Sequence, residues 1–190
     1  MRIAVIGTGN IGGTLGKKWR AAGHDVVYGA RTPAGSGPGG APVLPVAEAL
    51  SGAEVVLLAV PGPAVADVVS ANGAALAGTV VIDAANRMRE PSANSREIIA
   101  AAAPGAHYVR AFNTLGWENF ADPPAGADLF FAADPQARRA AEELITATGL
   151  EPAFVGDASA ADIVDGALRL WFALVQQSGG NRRLAFRVLH

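Results

Sequence analysis

The chain begins with a short apolar run at residues 3–6, Ile-Ala-Val-Ile, followed at once by Gly7, Thr8, Gly9, Asn10, Ile11, Gly12 and Gly13. A helical pattern comes next, with Ile11, Leu15 and Trp19 on one face. A buried parallel strand, a glycine-rich turn and a helix in this order are the context of a dinucleotide-binding turn. Gly7 permits the tight turn. Gly9 has no side chain, so a pyrophosphate can approach the backbone. Gly12 lets the helix lie close to the strand. The helix start presents N–H groups without intrahelical partners, which suit phosphate oxygens.

The end of the second strand discriminates between nucleotides. Residues 25–29 read as that strand, and it runs into Ala30, Arg31 and Thr32. An NAD site carries Asp or Glu here to hold the ribose hydroxyls, and no carboxylate is present. A carboxylate repels a 2′-phosphate, whereas a guanidinium fork binds one bidentately. The pattern therefore favours NADP(H). The other reading is a domain that has lost its ligand and kept Arg31 as a surface charge.

Apolar runs alternate with helical patterns along the rest of the chain. Strands are expected at 54–60, 79–83, 107–112, 127–132 and 151–155, and helices at 45–51, 63–70, 92–102 and 135–148. Gly23 is expected to cap the first helix, which makes His24 a turn residue. The Gly/Pro-rich stretch 32–42 reads as a mobile connection, or as a loop closing over the adenosine end. From residue 158 the pattern changes to a wide apolar face (Ile163, Ala167, Leu170, Trp171, Leu174), a Gly-Gly turn and a second short helix at 184–189. The expected architecture is α/β. It is a Rossmann-type, doubly wound, mostly parallel sheet over 1–157 with a C-terminal helical hairpin at 158–190. The hairpin is too apolar to stay exposed and is expected to cover the site, a partner subunit, or both.

Composition narrows the function. A length of 190 residues fits one domain, and a hydrophobic fraction of 51% supplies a core. A net charge of −2 offers no footprint for nucleic acid. No apolar run is long enough to span a membrane, and the apolar start is a strand broken by glycines, not a signal peptide. With no cysteine there is no disulfide, iron–sulfur cluster or thiolate haem ligand. His24, His107 and His190 show no metal-ligand spacing. The expectation is a cytoplasmic protein without metal.

The catalytic inventory is short. There is no G-x-S-x-G elbow, Ser-x-x-x-Lys or Tyr-x-x-x-Lys pattern, and both lysines, Lys17 and Lys18, lie in the first helix. Lysine acid chemistry in a C-terminal domain is thereby excluded. Hydride transfer between two stacked redox rings needs no protein acid, only proximity and orientation. A reductase with a nicotinamide and a second ring fits this chain, and no catalytic side chain is assigned. The rival readings are a reductase of a small carbonyl or imine, and a non-catalytic NADP(H)-binding redox sensor.

Three stretches carry a family resemblance: 7–13, 23–31 and Arg110-Ala111-Phe112-Asn113-Thr114. They resemble the coenzyme F420-dependent NADP oxidoreductases, and also the oxidoreductase domain of the six-transmembrane metalloreductases. The likeness extends over essentially the whole chain. It implies that Thr8 to Ile11 hold the pyrophosphate and Ala30, Arg31 and Thr32 the 2′-phosphate. Val60, Pro61, Asn86 and Ala111 then border the nicotinamide. A flavin or the deazaflavin coenzyme F420 would lie near Asn113 and Thr114, and the protein would be a homodimer. Ala30 departs from the serine usual before the 2′-phosphate arginine, and the Ala-Phe-Asn motif is closer to the metalloreductase branch, so the acceptor stays open.

Several single residues carry two readings. Arg87 and Arg89 are either anchors for an anionic tail or solvated charges. Trp117 and Phe120 are either stacking platforms or core. Arg182 and Arg183 read as surface or interface, and Asp83 as a strand-end turn residue.

Overall fold

The computed structural model describes residues 1–33 and 35–189; His190 and Ala34 of the Gly/Pro-rich stretch lie outside the described residues. Eight strands form one sheet: β1 (Arg2–Ile6), β2 (Asp25–Ala30), β3 (Val43–Pro45), β4 (Val55–Leu58), β5 (Val80–Asp83), β6 (His107–Arg110), β7 (Asp128–Ala133) and β8 (Glu151–Gly156). Their order is β3-β2-β1-β4-β5-β6-β7-β8. All pairings are parallel except β6 with β7. The fold is the expected Rossmann-type doubly wound sheet. The strand order reverses beside β1, which opens a crevice between β1 and β4 at the carboxyl edge.

Register decides what that edge collects. Gly29 pairs with Ile6, Ile6 with Leu58, Leu58 with Asp83 and Asp83 with Arg110. These residues form one row across five strands. The loops that follow them, including 7–9, 59–61, 84–87 and 111–114, therefore leave the sheet at one level.

The helices are α1 (Asn10–Ala21), α2 (Val46–Leu50), α3 (Val65–Leu76), α4 (Arg96–Ala102), α5 (Trp117–Ala121), α6 (Arg138–Thr146) and α7 (Ala161–Gln177). Alternation along β1 sends Ile3 and Val5 into one core, with Leu15, Trp19, Phe112, Leu144 and Trp171. Ala4 and Ile6 enter the other, with Val65, Val69, Ile99 and Tyr108. A strand apolar on both faces is what a sheet covered on both sides requires. The indole of Trp19 also donates to the Leu144 carbonyl at 2.9 Å, which ties α1 to α6.

α3 runs on to Leu76 where a helix ending at residue 70 was expected, and the structure departs from the sequence expectations in four further places. Residues 184–189 are extended, not helical, so the terminal hairpin is a single long helix with a returning tail. Six residues make a marginal helix, and partial burial of residues 184–186 offers more: Phe186 bridges Asp128 on β7 and lies 5.6 Å from the Phe130 ring. The Trp171 indole donates to the Leu184 carbonyl at 2.8 Å. α4 begins at Arg96, not at residue 92, because the Ser95 N–H is given to Asp83 at 2.6 Å and Asn94 is bound to Asp162 and Asp165. The short strand β3 and the short helix α5 were not expected. No helix among the described residues is long and apolar enough to cross a membrane.

Candidate functional site

The glycine turn is built by backbone necessity. Gly7 has φ +113°, a conformation costly for any other residue, and its N–H donates to the Gly29 carbonyl at 3.1 Å. Around Gly9 a Cβ would meet nothing within 4 Å, so this glycine faces open space. At Gly12 a Cβ would overlap the Gly7 carbonyl oxygen and press on Val5. Gly9 is the N-cap of α1, without a side-chain cap and with no acidic residue in the first turn. The first N–H groups of a 12-residue helix therefore look out without a side-chain partner.

A cavity of about 340 Å³ runs from this turn along the crevice. Its walls bring together Gly7, Thr8, Gly9, Ala30, Arg31, Val60 and Pro61, seven of the residues expected to hold the cofactor, and no carboxylate lines it. Val46, Ala64 and Val68 give it an apolar floor. Thr32 is exposed just beyond Arg31. Asn10 instead lines a neighbouring cavity of about 440 Å³ with Trp117, Lys17 and Lys18. The two aromatic candidates thus separate: Trp117 stands on a cavity wall, while Phe120 is fully buried core.

Asn86 lies outside the crevice cavity, on the wall of another of about 470 Å³, and the strand ends behind it rest on buried charge. Arg110, at 0% exposure, reaches across the ends of β5 and β6. Its Nη1 donates to the carbonyls of Asp83 (3.0 Å) and Ala85 (2.6 Å), and its Nη2 to Asn86 Oδ1 at 2.8 Å. Nε and Nη2 both reach Asp165 Oδ1 on α7, at 2.8 and 2.6 Å. Asn86 Nδ2 donates to the Asn113 carbonyl at 3.2 Å, and Asn113 Nδ2 to Asp165 Oδ1 at 3.2 Å. The expected nicotinamide-end residues Asn86, Ala111, Asn113 and Thr114 are thus gathered at one place. Asn86 is half-buried, and the other three are buried behind it.

Phe112 turns the chain at this point with φ +61°, the one left-handed non-glycine among the described residues. Such a conformation costs about 1–3 kcal/mol and persists only where its surroundings hold it. Here the ring is held edge-on to Trp19 and Phe120 at 5.6 and 5.7 Å. The turn sends Asn113 back toward Asp165.

Asp83 ends β5 as expected, and it does more than turn the chain. It is fully buried, and it accepts from the Ser95 N–H (2.6 Å), the Ala85 N–H (3.2 Å) and the Tyr108 hydroxyl (3.1 Å). Burial raises its pKa above the ordinary carboxylate value, against the pull of Arg110 and these donors. Burial, and then the Asp83 carboxylate, push the Tyr108 phenol well above its ordinary value.

The other two-way residues resolve as follows. Arg87 and Arg89 line a cavity of about 470 Å³ beside Asn86, with Arg87 held by the Asn94 carbonyl at 3.3 Å. Arg182 pairs with Glu118 and Arg183 with Asp122, which fastens the tail to α5. His24 sits in the turn after α1, with the Met1 ammonium 3.4 Å from Nδ1; burial and that ammonium lower its pKa.

Asp165, Asn94 and Asp162 escaped the sequence reading. The available signal was weak: one Asp inside an apolar helix face, and one Arg ending an apolar strand. Buried ionic groups demand partners, but nothing local in the sequence says which.

Comparison with known proteins bears on the fold and the family. The model of a family described as NADP oxidoreductase, coenzyme F420-dependent, matches residues 2–87, from β1 to just past Asn86. A protein from Arthrobacter sp. FB24, provisionally named an F420-dependent NADP reductase, is 25% identical over 100% of both chains, with a TM-score of 0.86. A hypothetical protein from Sinorhizobium meliloti is 30% identical over 85% of this chain and 87% of its own, with a TM-score of 0.70. A reductive aminase from Aspergillus terreus, solved with NADPH4, cyclohexanone and allyl amine, shares the fold at 18% identity and a TM-score of 0.72. This chain covers 62% of that longer protein.

Proposed function

We propose that the chain is an NADP-dependent oxidoreductase of the coenzyme F420-dependent NADP oxidoreductase family, whose model matches residues 2–87, and that it moves hydride between NADPH and a flavin-like or deazaflavin (F420) acceptor. The observation that carries the nucleotide half is the crevice that joins the open glycine turn to Arg31 with no carboxylate in its walls. The space over Gly9 and the uncapped start of α1 fit a pyrophosphate. Arg31 supplies the fork for a 2′-phosphate.

In this reading Thr8 to Ile11 and Gly12 hold the phosphates, Ala30, Arg31 and Thr32 the 2′-phosphate end, and Val60, Pro61, Asn86 and Ala111 the nicotinamide end. Bound NADPH supplies the hydride from its dihydronicotinamide ring. The protein contributes orientation. Asn86 is held on both sides of its amide, and the loops from β4, β5 and β6 share one level. Alignment of this kind is worth about 7–11 kcal/mol of barrier in favourable cases. Asn113 and Thr114 lie on the side assigned to the acceptor. None of Val60, Pro61, Asn86, Ala111, Asn113 and Thr114 is a general acid, and Asp83 and Tyr108 are buried and bound to each other, which fits transfer between two rings better than reduction of a carbonyl.

The same reading makes the protein a cytoplasmic homodimer. Ile163, Leu170 and Leu174 on α7 leave an apolar face in water, which a second copy would cover.

The test is loss of reduced-nicotinamide absorbance with NADPH and, separately, NADH, in the presence of F420, FMN, FAD or a ferric chelate. Fast oxidation of NADPH by a ring acceptor is the expected outcome. Tight NADPH binding with no ring turnover, but with turnover of a cyclic imine or a small ketone, would replace this reading by the small-substrate reductase.

A further inference from the structure

We propose that Asp165 is a positioning residue for the nicotinamide end, acting through Arg110 and Asn113 from a helix outside the nucleotide fold. The proposal rests on the reading that NADPH binds with its nicotinamide at Asn86. Four donors converge on this one carboxylate. They are Arg110 Nε (2.8 Å), Arg110 Nη2 (2.6 Å), Asn113 Nδ2 (3.2 Å) and Asn94 Nδ2 (2.9 Å).

The guanidinium has five N–H groups in a rigid plane. Here they are spent on Asp165, the Asp83 and Ala85 carbonyls and Asn86 Oδ1. A planar fork satisfied on every side has one orientation. It holds the Asn86 oxygen, and the Asn86 nitrogen is held by the Asn113 carbonyl. Asn113 returns to Asp165, and the ring Asp165–Arg110–Asn86–Asn113 closes. Its only member outside the strand-end loops and β6 is Asp165, so α7 sets the geometry at which the crevice ends. The left-handed turn at Phe112 belongs to the same arrangement, since it brings Asn113 back to α7.

A carboxylate that merely pinned α7 to the sheet would affect every ligand of the fold alike. A positioning role affects only the ligand half that meets Asn86. Asp165→Asn keeps the shape and removes the charge. Asn94→Ala loosens the carboxylate at Oδ2 without unpairing Arg110, and it decides the matter if Asp165→Asn fails to fold. For each full-length variant, calorimetry compares NADPH with adenosine 2′,5′-bisphosphate, which carries the adenine half alone, and time-resolved fluorescence follows the bound dihydronicotinamide. The expected result is a selective loss: NADPH weakened about tenfold in Asp165→Asn and about threefold in Asn94→Ala, a shorter bound-state lifetime, and adenosine 2′,5′-bisphosphate within about twofold of wild type. A change confined to NADPH, in affinity or lifetime, supports the proposal. Parallel changes for both ligands, or none for either, overturn it. A wild-type chain that binds neither ligand overturns the NADP reading itself and this proposal with it.

Discussion

The Cα of Gly12 rests against the carbonyl oxygen of Gly7 so closely that a methyl group there would overlap it. This contact presses the first turn of α1 onto the end of β1 and holds in place the N–H groups proposed to bind phosphate. Gly12→Ala therefore sets two effects against each other. Alanine is the better helix former by about 0.8–1.0 kcal/mol. The overlap is with backbone, and Val5 and Ala59 close the other sides, so the neighbours cannot yield. Overpacking of this kind costs about 1–3 kcal/mol, and displacement of the turn adds to it. We expect a net lower melting temperature, by about 2–4 °C per kcal/mol at this size, and NADPH affinity reduced more than about tenfold. Calorimetric melting and NADPH titration of the variant check both.

Arg31 lines the cavity beside the glycine turn, where the proposed site takes the 2′-phosphate. Hydrogen bonds to charged groups contribute about 1.5–3 kcal/mol, or roughly 10–100-fold in affinity. Arg31→Gln is expected to weaken NADPH by that factor and to leave NADH within about twofold. Wild-type NADPH affinity should also fall with salt more steeply than NADH affinity, because a 2′-phosphate adds screened charge. Equal loss of both nucleotides would place the 2′-phosphate elsewhere.

The protein has two tyrosines, Tyr28 and Tyr108, and both are buried. Burial pushes the Tyr28 phenol up to about 12, against a small opposing pull from Arg20, and the Tyr108 phenol goes well above its ordinary value. A raised folded-state pKa means that the fold favours the neutral phenol. This stabilisation is fully present below the unfolded-chain value near 10 and is lost as pH rises through the folded value. In a spectrophotometric titration, no tyrosinate band should develop near pH 10. Both phenols should ionise at higher pH, together with loss of the folded circular dichroism. A tyrosinate band in the still-folded protein at about pH 10 would contradict the burial of one ring.

Ile163 is 65% and Leu170 52% exposed on α7. If a second copy covers them, Ile163→Lys combined with Leu170→Lys halves the particle mass by light scattering. NADPH binding is retained, since neither residue joins the Asp165 network. A wild-type chain that is monomeric at micromolar concentration would end the dimer reading.

The parts of the site legible in the sequence are those that depend on a few consecutive residues. Gly7, Gly9 and Gly12 each answer a local demand for φ, space or close approach, and Arg31 is placed by the length of β2. Other features needed partners far along the chain. Asp83 looked like a turn residue because nothing near it announces Arg110, whose register across β5–β6 supplies the pairing. The start of α4 moved to Arg96 because Ser95 and Asn94 spend their polar groups on Asp83 and Asp165. Residues 184–189 have a helical pattern, yet Asp128 and the Trp171 indole offered Leu184 and Phe186 hydrogen bonds and partial burial in place of a helix.

The glycine turn and the end of β2 follow from short stretches of chain. Strand period, glycine spacing and the residue ending β2 are local properties, set by backbone sterics and by charge within a few residues. Packing between distant segments fixes the rest: that Arg110 is buried, that its partner is Asp165 some 55 residues away, and that Phe112 is held left-handed. A buried charge specifies that a partner must exist, because desolvation without one is prohibitive. Which carboxylate answers, and which amides it aligns, follows from the packing of α7 against the sheet.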